Sequence, residues 1–139
     1  MVNNHPQREP TLVRVRPVED IRSRQNLPYF VGISGETAGA TAISLNLVVI
    51  PAGGRAAAHL HRGYETAIYV LEGEVITYYG ENLEQSVVTV AGDFLFIPAD
   101  VPHQPVNMSE TEPARAIVAR NDPNEQESVE LFPKQKSAN

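Results

Sequence analysis

Apolar residues along this chain fall into short runs, and none of them carries a sustained helical stripe. Leu12-Val13-Arg14-Val15-Arg16 alternates apolar and basic, and Tyr29 to Ile33 follows a proline. Further runs are Ile43 to Ile50, Thr66 to Leu71, Val75 to Tyr79, Val87 to Val90, Phe94 to Ile97 and Ala114 to Ala119. They are rich in β-branched residues and of strand length. Turn residues separate them: Pro51-Ala52-Gly53-Gly54 after the third run, Glu72-Gly73 after the fourth and Gly80 after the fifth. Strands at such turn-punctuated spacing predict an all-β barrel or sandwich. The apolar runs are far shorter than the roughly 18 residues a membrane helix needs.

The two ends differ from this body. Residues 1–26 read as an arm with edge-strand character at 12–16, and 17–26 as one helical turn or a loop. Residues 27–133 form the expected barrel, and 134–139 a polar tail. A length of 139 residues suits one domain, and 42% hydrophobic with 20% charged residues is a globular balance. The formal net charge is -6, and five arginines (Arg8, Arg14, Arg16, Arg22, Arg24) lie within the arm. The body is thus acidic, which argues against nucleic acid as a partner. No apolar signal segment occupies the first 30 residues, so neither a membrane nor an export signal is expected and the cytoplasm is the expected compartment. With no cysteine, disulfides, a thiolate nucleophile and cysteine-ligated metals are excluded.

The chemistry concentrates in the histidines. His59 and His61 are two apart, so on a strand both imidazoles project to one face. Glu65 follows shortly, and His103 comes much later, after Pro98-Ala99-Asp100-Val101-Pro102. These are nitrogen and oxygen donors of the type that Mn, Fe, Co, Ni, Cu or Zn accept. Each histidine alone reads as an ordinary structural residue, and His5 belongs to the arm.

The spacing of these residues resembles that of the cupin superfamily, in its small single-domain conserved-barrel form. The first cupin motif is matched by Gly53, His59-Leu60-His61, Glu65 and Gly73. The second is matched by Gly92, Pro98, His103 and Asn107, with Asp100 standing where the family has glycine. The likeness covers roughly residues 41–120. It implies a jelly-roll β-barrel, a double-stranded β-helix, holding one divalent transition metal per chain (Mn, Fe, Ni, Co, Cu or Zn). The implied ligands are His59, His61, Glu65 and His103, with Glu65 also a candidate catalytic base. One spacing departs from the pattern: Gly73 lies one residue too far from Glu65. Either the following strand absorbs an extra residue as a bulge and Glu65 is the ligand, or Thr66 occupies that slot and fewer protein groups hold the metal.

Tyr69, Leu71, Phe94, Phe96 and Val106 are the expected apolar walls of the site, and Arg55, Tyr64 and Gln104 its neighbouring polar groups. The resemblance spans many reactions. It implies a metal-dependent enzyme acting on a small organic acid, diketone, phenol or sugar derivative, of dioxygenase, isomerase, decarboxylase or lyase type. The competing expectation is a non-catalytic module that binds or senses a small molecule around a structural metal. A homodimer is expected, because open sheet edges gain from a covering strand.

Overall fold

The computed structural model describes residues 10–16, 21–22, 28–124 and 129–132. Most of the 17–26 stretch and the 134–139 tail lie outside these residues. Two antiparallel sheets face each other. The larger has the order β1 (Ile21–Arg22), β2 (Pro28–Ile33), β3 (Ser44–Ile50), β10 (Ala114–Arg120), β5 (Thr66–Glu72), β8 (Phe94–Ile97). The smaller has the order β11 (Val129–Leu131), β4 (His59–His61), β9 (His103–Asn107), β6 (Glu74–Tyr79), β7 (Gln85–Val90). This is the jelly-roll sandwich expected from the sequence. Among the described residues a single short helix, α1 (Gly35–Ala38), is opened by a reciprocal Ser34–Thr37 capping box.

Strand parity decides which side chains enter the barrel. Ser44, Asn46 and Ile50 on β3, Ala114, Val118 and Arg120 on β10, and Thr66 and Val70 on β5 are buried. Their alternate neighbours Leu45, Tyr69 and Leu71 are exposed. The interior has two unlike ends. At one, Ile50, Ala56, Val75 and Ala114 form a closed apolar cluster. At the other, Ser44, Arg120 and Thr66 stand in register across β3, β10 and β5.

The closed end is locked by Asn107. Its Nδ2 donates to the carbonyls of Ile50, Pro51 and Glu112 at 3.1, 3.2 and 2.8 Å, and its Oδ1 accepts from Ser109 N–H at 2.9 Å. The asparagine of the second motif is therefore a structural fastener between three segments. Gly73 makes the β5–β6 hairpin at this same end with φ of +93°, and a Cβ there would lie 2.8 Å from Ala114 Cα. Both the left-handed backbone and the close approach require glycine.

Segment 10–16 pairs with no strand among the described residues, although its alternation gives it strand character, and Leu12 is fully exposed. Sequence alternation also misses β11, whose Val129, Glu130 and Leu131 pair with His61, Leu60 and His59.

Candidate metal centre

β4 and β9 bring the three histidines together. His59 sits directly opposite His103 in the antiparallel register, and His61 is one pleat further along β4. All three are 3–4% exposed. Ring centroids are 4.3 Å apart for His59 and His103, 5.1 Å for His59 and His61, and 5.4 Å for His61 and His103. Their ligating nitrogens all lie within 4.8 Å of one another, close enough to share one ion.

Two ring orientations are fixed by backbone carbonyls. His59 Nδ1 lies 2.7 Å from Ala57 O, and His103 Nδ1 lies 2.9 Å from Val101 O. A carbonyl only accepts, so each Nδ1 carries the proton and each Nε2 offers a lone pair. His61 has no such anchor: its buried Nδ1 finds no hydrogen-bond partner among the described residues. A buried polar nitrogen left this way is costly in a dry protein.

The electrostatics keep the rings neutral. Burial drives His103 down to about 4, with the Arg120 guanidinium adding to it and the Val101 carbonyl opposing. His59 falls to about 3, again chiefly through burial and then through His103. His61 is lowered most, by burial and then by Arg120. Neutral imidazole is the metal-binding form.

Glu65 is a correction to the sequence reading. It is exposed, it stands outside the histidine cluster, and its N–H donates to Asn121 Oδ1 at 2.8 Å. β5 begins at Thr66, which pairs with Ile97 and Arg120 and is 2% exposed. Parity from Thr66 directs the preceding residue outward. The extra residue does form a bulge, but at Leu71, where the β5–β10 register slips between Val70 and Glu72. The bulge comes after the inward series Thr66, Ile68, Val70 and leaves the site's parity unchanged. Thr66 thus holds the slot expected of Glu65, and its Oγ1 is buried without a hydrogen-bond partner among the described residues.

The same parity corrects the expected walls. Tyr69, Leu71, Phe94 and Phe96 face outward at 37, 45, 80 and 58% exposure. Ile68, Val70, Leu95 and Ile97 line the interior in their place. Large apolar side chains suggest an interior face, yet it is the smaller branched neighbours that point in. Val106, half-buried, bridges to Arg55 rather than lining the cavity. Arg55 and Tyr64 likewise stand outside the lining, and Gln104 spends its Nε2 on the Ala56 carbonyl at 3.0 Å.

Arg120 is the cavity residue that sequence reading overlooks. It is 6% exposed and lines the histidine cavity. The signal is there in the residues: a cation at the inward parity of an otherwise apolar strand, Ala114, Ala116, Val118, Arg120. The cavity has a volume of about 70 Å³, and among the described residues no carboxylate lines it.

Asp100, the departure in the second motif, ties the site together. Its φ is +66°, a left-handed conformation that aspartate tolerates. Asp100 N–H donates to His61 O at 3.1 Å, and Asp100 Oδ1 accepts from Gly63 N–H at 2.8 Å. The loop before His103 is thereby fastened to the end of the histidine strand.

The family model for the cupin domain matches residues 46–120, more than half of the chain. The chain belongs to the cupin family. No curated protein matches it in sequence. Among solved structures, this cupin is similar to the polyketide cyclase RemF from Streptomyces resistomycificus, with a TM-score of 0.70, 22% identity and coverage of 91% of this chain and 89% of that one. It is also similar to oxalate decarboxylase from Lactobacillus farciminis, with a TM-score of 0.69, 20% identity and coverage of 82% and 33%. A sugar phosphate isomerase of the cupin superfamily from Silicibacter pomeroyi matches with a TM-score of 0.54, 25% identity and coverage of 67% and 59%. The cupin thus spans a third of the decarboxylase and about six-tenths of the isomerase, and these likenesses carry the fold.

Proposed function

We propose that this cupin holds one divalent transition metal on His59, His61 and His103 and acts on a small organic molecule bound beside it. The observation that carries this reading is the convergence of three buried, neutral imidazoles, two of them locked with Nε2 available and the third with an orphaned Nδ1. His59, His61 and His103 would hold such an ion with positions left open, and it would supply Lewis-acid polarisation of a bound oxygen or, if iron, dioxygen activation. Thr66 offers a hydroxyl beside that position, and Arg120 supplies positive charge. Glu65 is too far outside to serve as base, and no other described carboxylate lines the cavity. Oxygen chemistry at a three-histidine centre needs no such base and fits this lining, whereas isomerase or lyase-type proton transfer by a carboxylate does not.

Metal analysis of protein purified without a metal-affinity step tests the reading. The expected result is one equivalent of a first-row transition metal per chain, removed by a chelator and restored on titration. A preparation that neither contains nor takes up such a metal would sink it.

We also infer that two copies pair through the outer face of the larger sheet. Phe30, Leu47, Ile117, Tyr69 and Phe94 lie directly opposite one another on successive strands, forming an uncharged row across five of them. A second row runs through Leu45, Ala119, Ala67 and Phe96. Given the exposure of Phe94, Phe96, Tyr69, Leu71 and Leu45, these side chains present about 500 Å² of apolar surface at roughly 200 Å² per large side chain. That is at the upper end of what a monomer shows and approaches the roughly 800 Å² per partner of a stable interface. A second copy is the occupant that suits it. A chain of net charge -6 repels its twin except where a face lacks charge, and these rows lack it. The segment 10–16, which pairs with no strand among the described residues, adds the fully exposed Leu12 side chain for a twin to cover. Sedimentation at micromolar concentration should give a dimer, and the exposed substitution Phe94→Asp should give a folded monomer. A monomeric parent, or a variant that stays dimeric, refutes the face.

A further inference from the structure

The loop that precedes His103 runs Pro98-Ala99-Asp100-Val101-Pro102, and it sets where the His103 ring points. The ring's Nδ1 donates to the Val101 carbonyl at 2.9 Å, so whatever fixes Val101 fixes the ring. On one side Val101 is held by Pro102. A proline confines the residue before it to extended backbone, and the Pro102 carbonyl accepts from Gly80 N–H at 3.0 Å. On the other side stands Asp100.

Asp100 bonds twice to the segment that carries the other two histidines. Its N–H donates to the His61 carbonyl at 3.1 Å, and its Oδ1 accepts from Gly63 N–H at 2.8 Å. The first is a backbone bond that any residue except proline keeps. The second belongs to the carboxylate. It counts here because, among the described residues, β4 pairs with β9 only at His59 with His103, and the buried His61 Nδ1 has no hydrogen-bond partner. The Gly63 bond adds a further point of registration between the two ligand-bearing segments, just beyond His61.

Aspartate is an unexpected choice at this point of the backbone. At φ of +66° glycine is the unstrained residue, and aspartate is merely tolerated. The side chain must therefore add something that glycine lacks. Its approach to Arg62, at 3.9 Å between two exposed groups, adds little. The short, charge-assisted bond to Gly63 N–H is the substantial addition.

We propose that Asp100 is a positioning residue. Its carboxylate, acting through Gly63 N–H, holds the His103 loop against the end of β4, so that the three imidazoles are already arranged to share one ion. The inference rests on the metal reading above and adds to it a residue that stands outside the lining of the histidine cavity.

Two variants test it. Asp100→Gly keeps the positive φ and the N–H but removes the carboxylate. Asp100→Asn keeps an acceptor and suits the same backbone. Each protein is loaded with Co²⁺ and mixed with excess chelator, and loss of the cobalt absorption is timed. Asp100→Gly should release the ion at least about tenfold faster than the parent, as groups that orient ligands do when lost. Asp100→Asn should stay within about threefold of it, because the acceptor is retained. Thermal midpoints of both should remain within about 5 °C of the parent, since relief of backbone strain offsets the loss of one exposed bond. In the metal-free protein, the His103 Nδ1–H proton followed by NMR should exchange with solvent faster in Asp100→Gly and at the parental rate in Asp100→Asn. Parental cobalt release from Asp100→Gly, failure of Asp100→Asn to restore it, or release rates that merely follow the thermal midpoints overturns the positioning role. A parent that takes up no cobalt overturns the metal reading instead. Proton exchange then judges Asp100 by itself: faster exchange in Asp100→Gly alone supports its hold on the His103 ring, and equal exchange in all three proteins refutes it.

Discussion

His103→Gln should lower the affinity for Zn²⁺ or Mn²⁺ by at least about 100-fold, while Glu65→Gln should leave it within about twofold of the parent. The contrast follows from where the two side chains stand. His103 is one of three buried imidazoles, and its ring is oriented by the Val101 carbonyl. Even removal of groups that merely orient a ligand costs roughly 10–100-fold in metal affinity, so deletion of a ligand costs more. Glu65 is exposed and engages the rest of the fold through its N–H, which any residue but proline retains. Thr66→Glu sharpens the comparison. It puts a carboxylate into the inward slot of the histidine cavity, where it supplies a fourth donor, the first with negative charge, and raises metal affinity if Thr66 faces the ion. Titration of the parent and the three variants, each checked for native circular dichroism, decides the matter. A large loss in Glu65→Gln would mean that the strand shifts its register on binding metal.

The metal-free protein should lose most of its stability between pH 6.5 and 5. An unfolded histidine titrates near 6.5, whereas folded His103 and His59 hold out to about 4 and about 3, and His61 lower still. Above pH 6.5 both states are neutral at these positions, and stability is intact. Below it the unfolded chain takes up protons that the folded chain refuses, so stability falls with falling pH and goes on falling until the folded values are passed. Each such histidine contributes about 1.4 kcal/mol per pH unit, so three together remove about 4 kcal/mol per unit. That is a large share of the roughly 5–15 kcal/mol of an ordinary domain. The fall begins well above the titration of surface carboxylates, so the two effects separate between pH 6.5 and 5. Urea midpoints at pH 7.5, 6.5 and 5.5 in the presence of a chelator give the slope, and His103→Gln should reduce it by about a third. A flat profile would contradict neutral, buried histidines. Bound metal should protect, because each proton must then displace it.

Much of this architecture is legible in the order of the residues alone. Runs of β-branched residues between glycine and proline turns announce the sandwich, and His59-Leu60-His61 with His103 announces the cluster. The one-residue excess before Gly73 is legible too, as a bulge. Where the bulge sits is not. A bulge before Thr66 would turn Glu65 inward, while one at Leu71 keeps Thr66 inward, and the spacing is the same in both. Pairing with β10 decides, and that is a long-range matter. The same ambiguity misplaces Tyr69, Leu71, Phe94 and Phe96, because β5 and β8 are apolar at nearly every position and show no alternation to read. The ring-to-carbonyl bonds of His59 and His103 cannot be read at all, since they depend on the irregular backbone at Ala57 and Val101.

The histidine strand β4 is only three residues long and meets β9 at a single pair, His59 with His103; its other neighbour is β11, near the far end of the described chain. The order of biosynthesis follows from that. The ribosome makes His59 and His61 before either strand that flanks them, and the second of these is completed only at residue 131. Until then the imidazoles sit on an unsupported edge, exposed to whatever cation is most competitive. On the proposed metal reading, a nascent chain has no fixed pocket with which to discriminate among metals, and selection of the ion falls to the finished barrel.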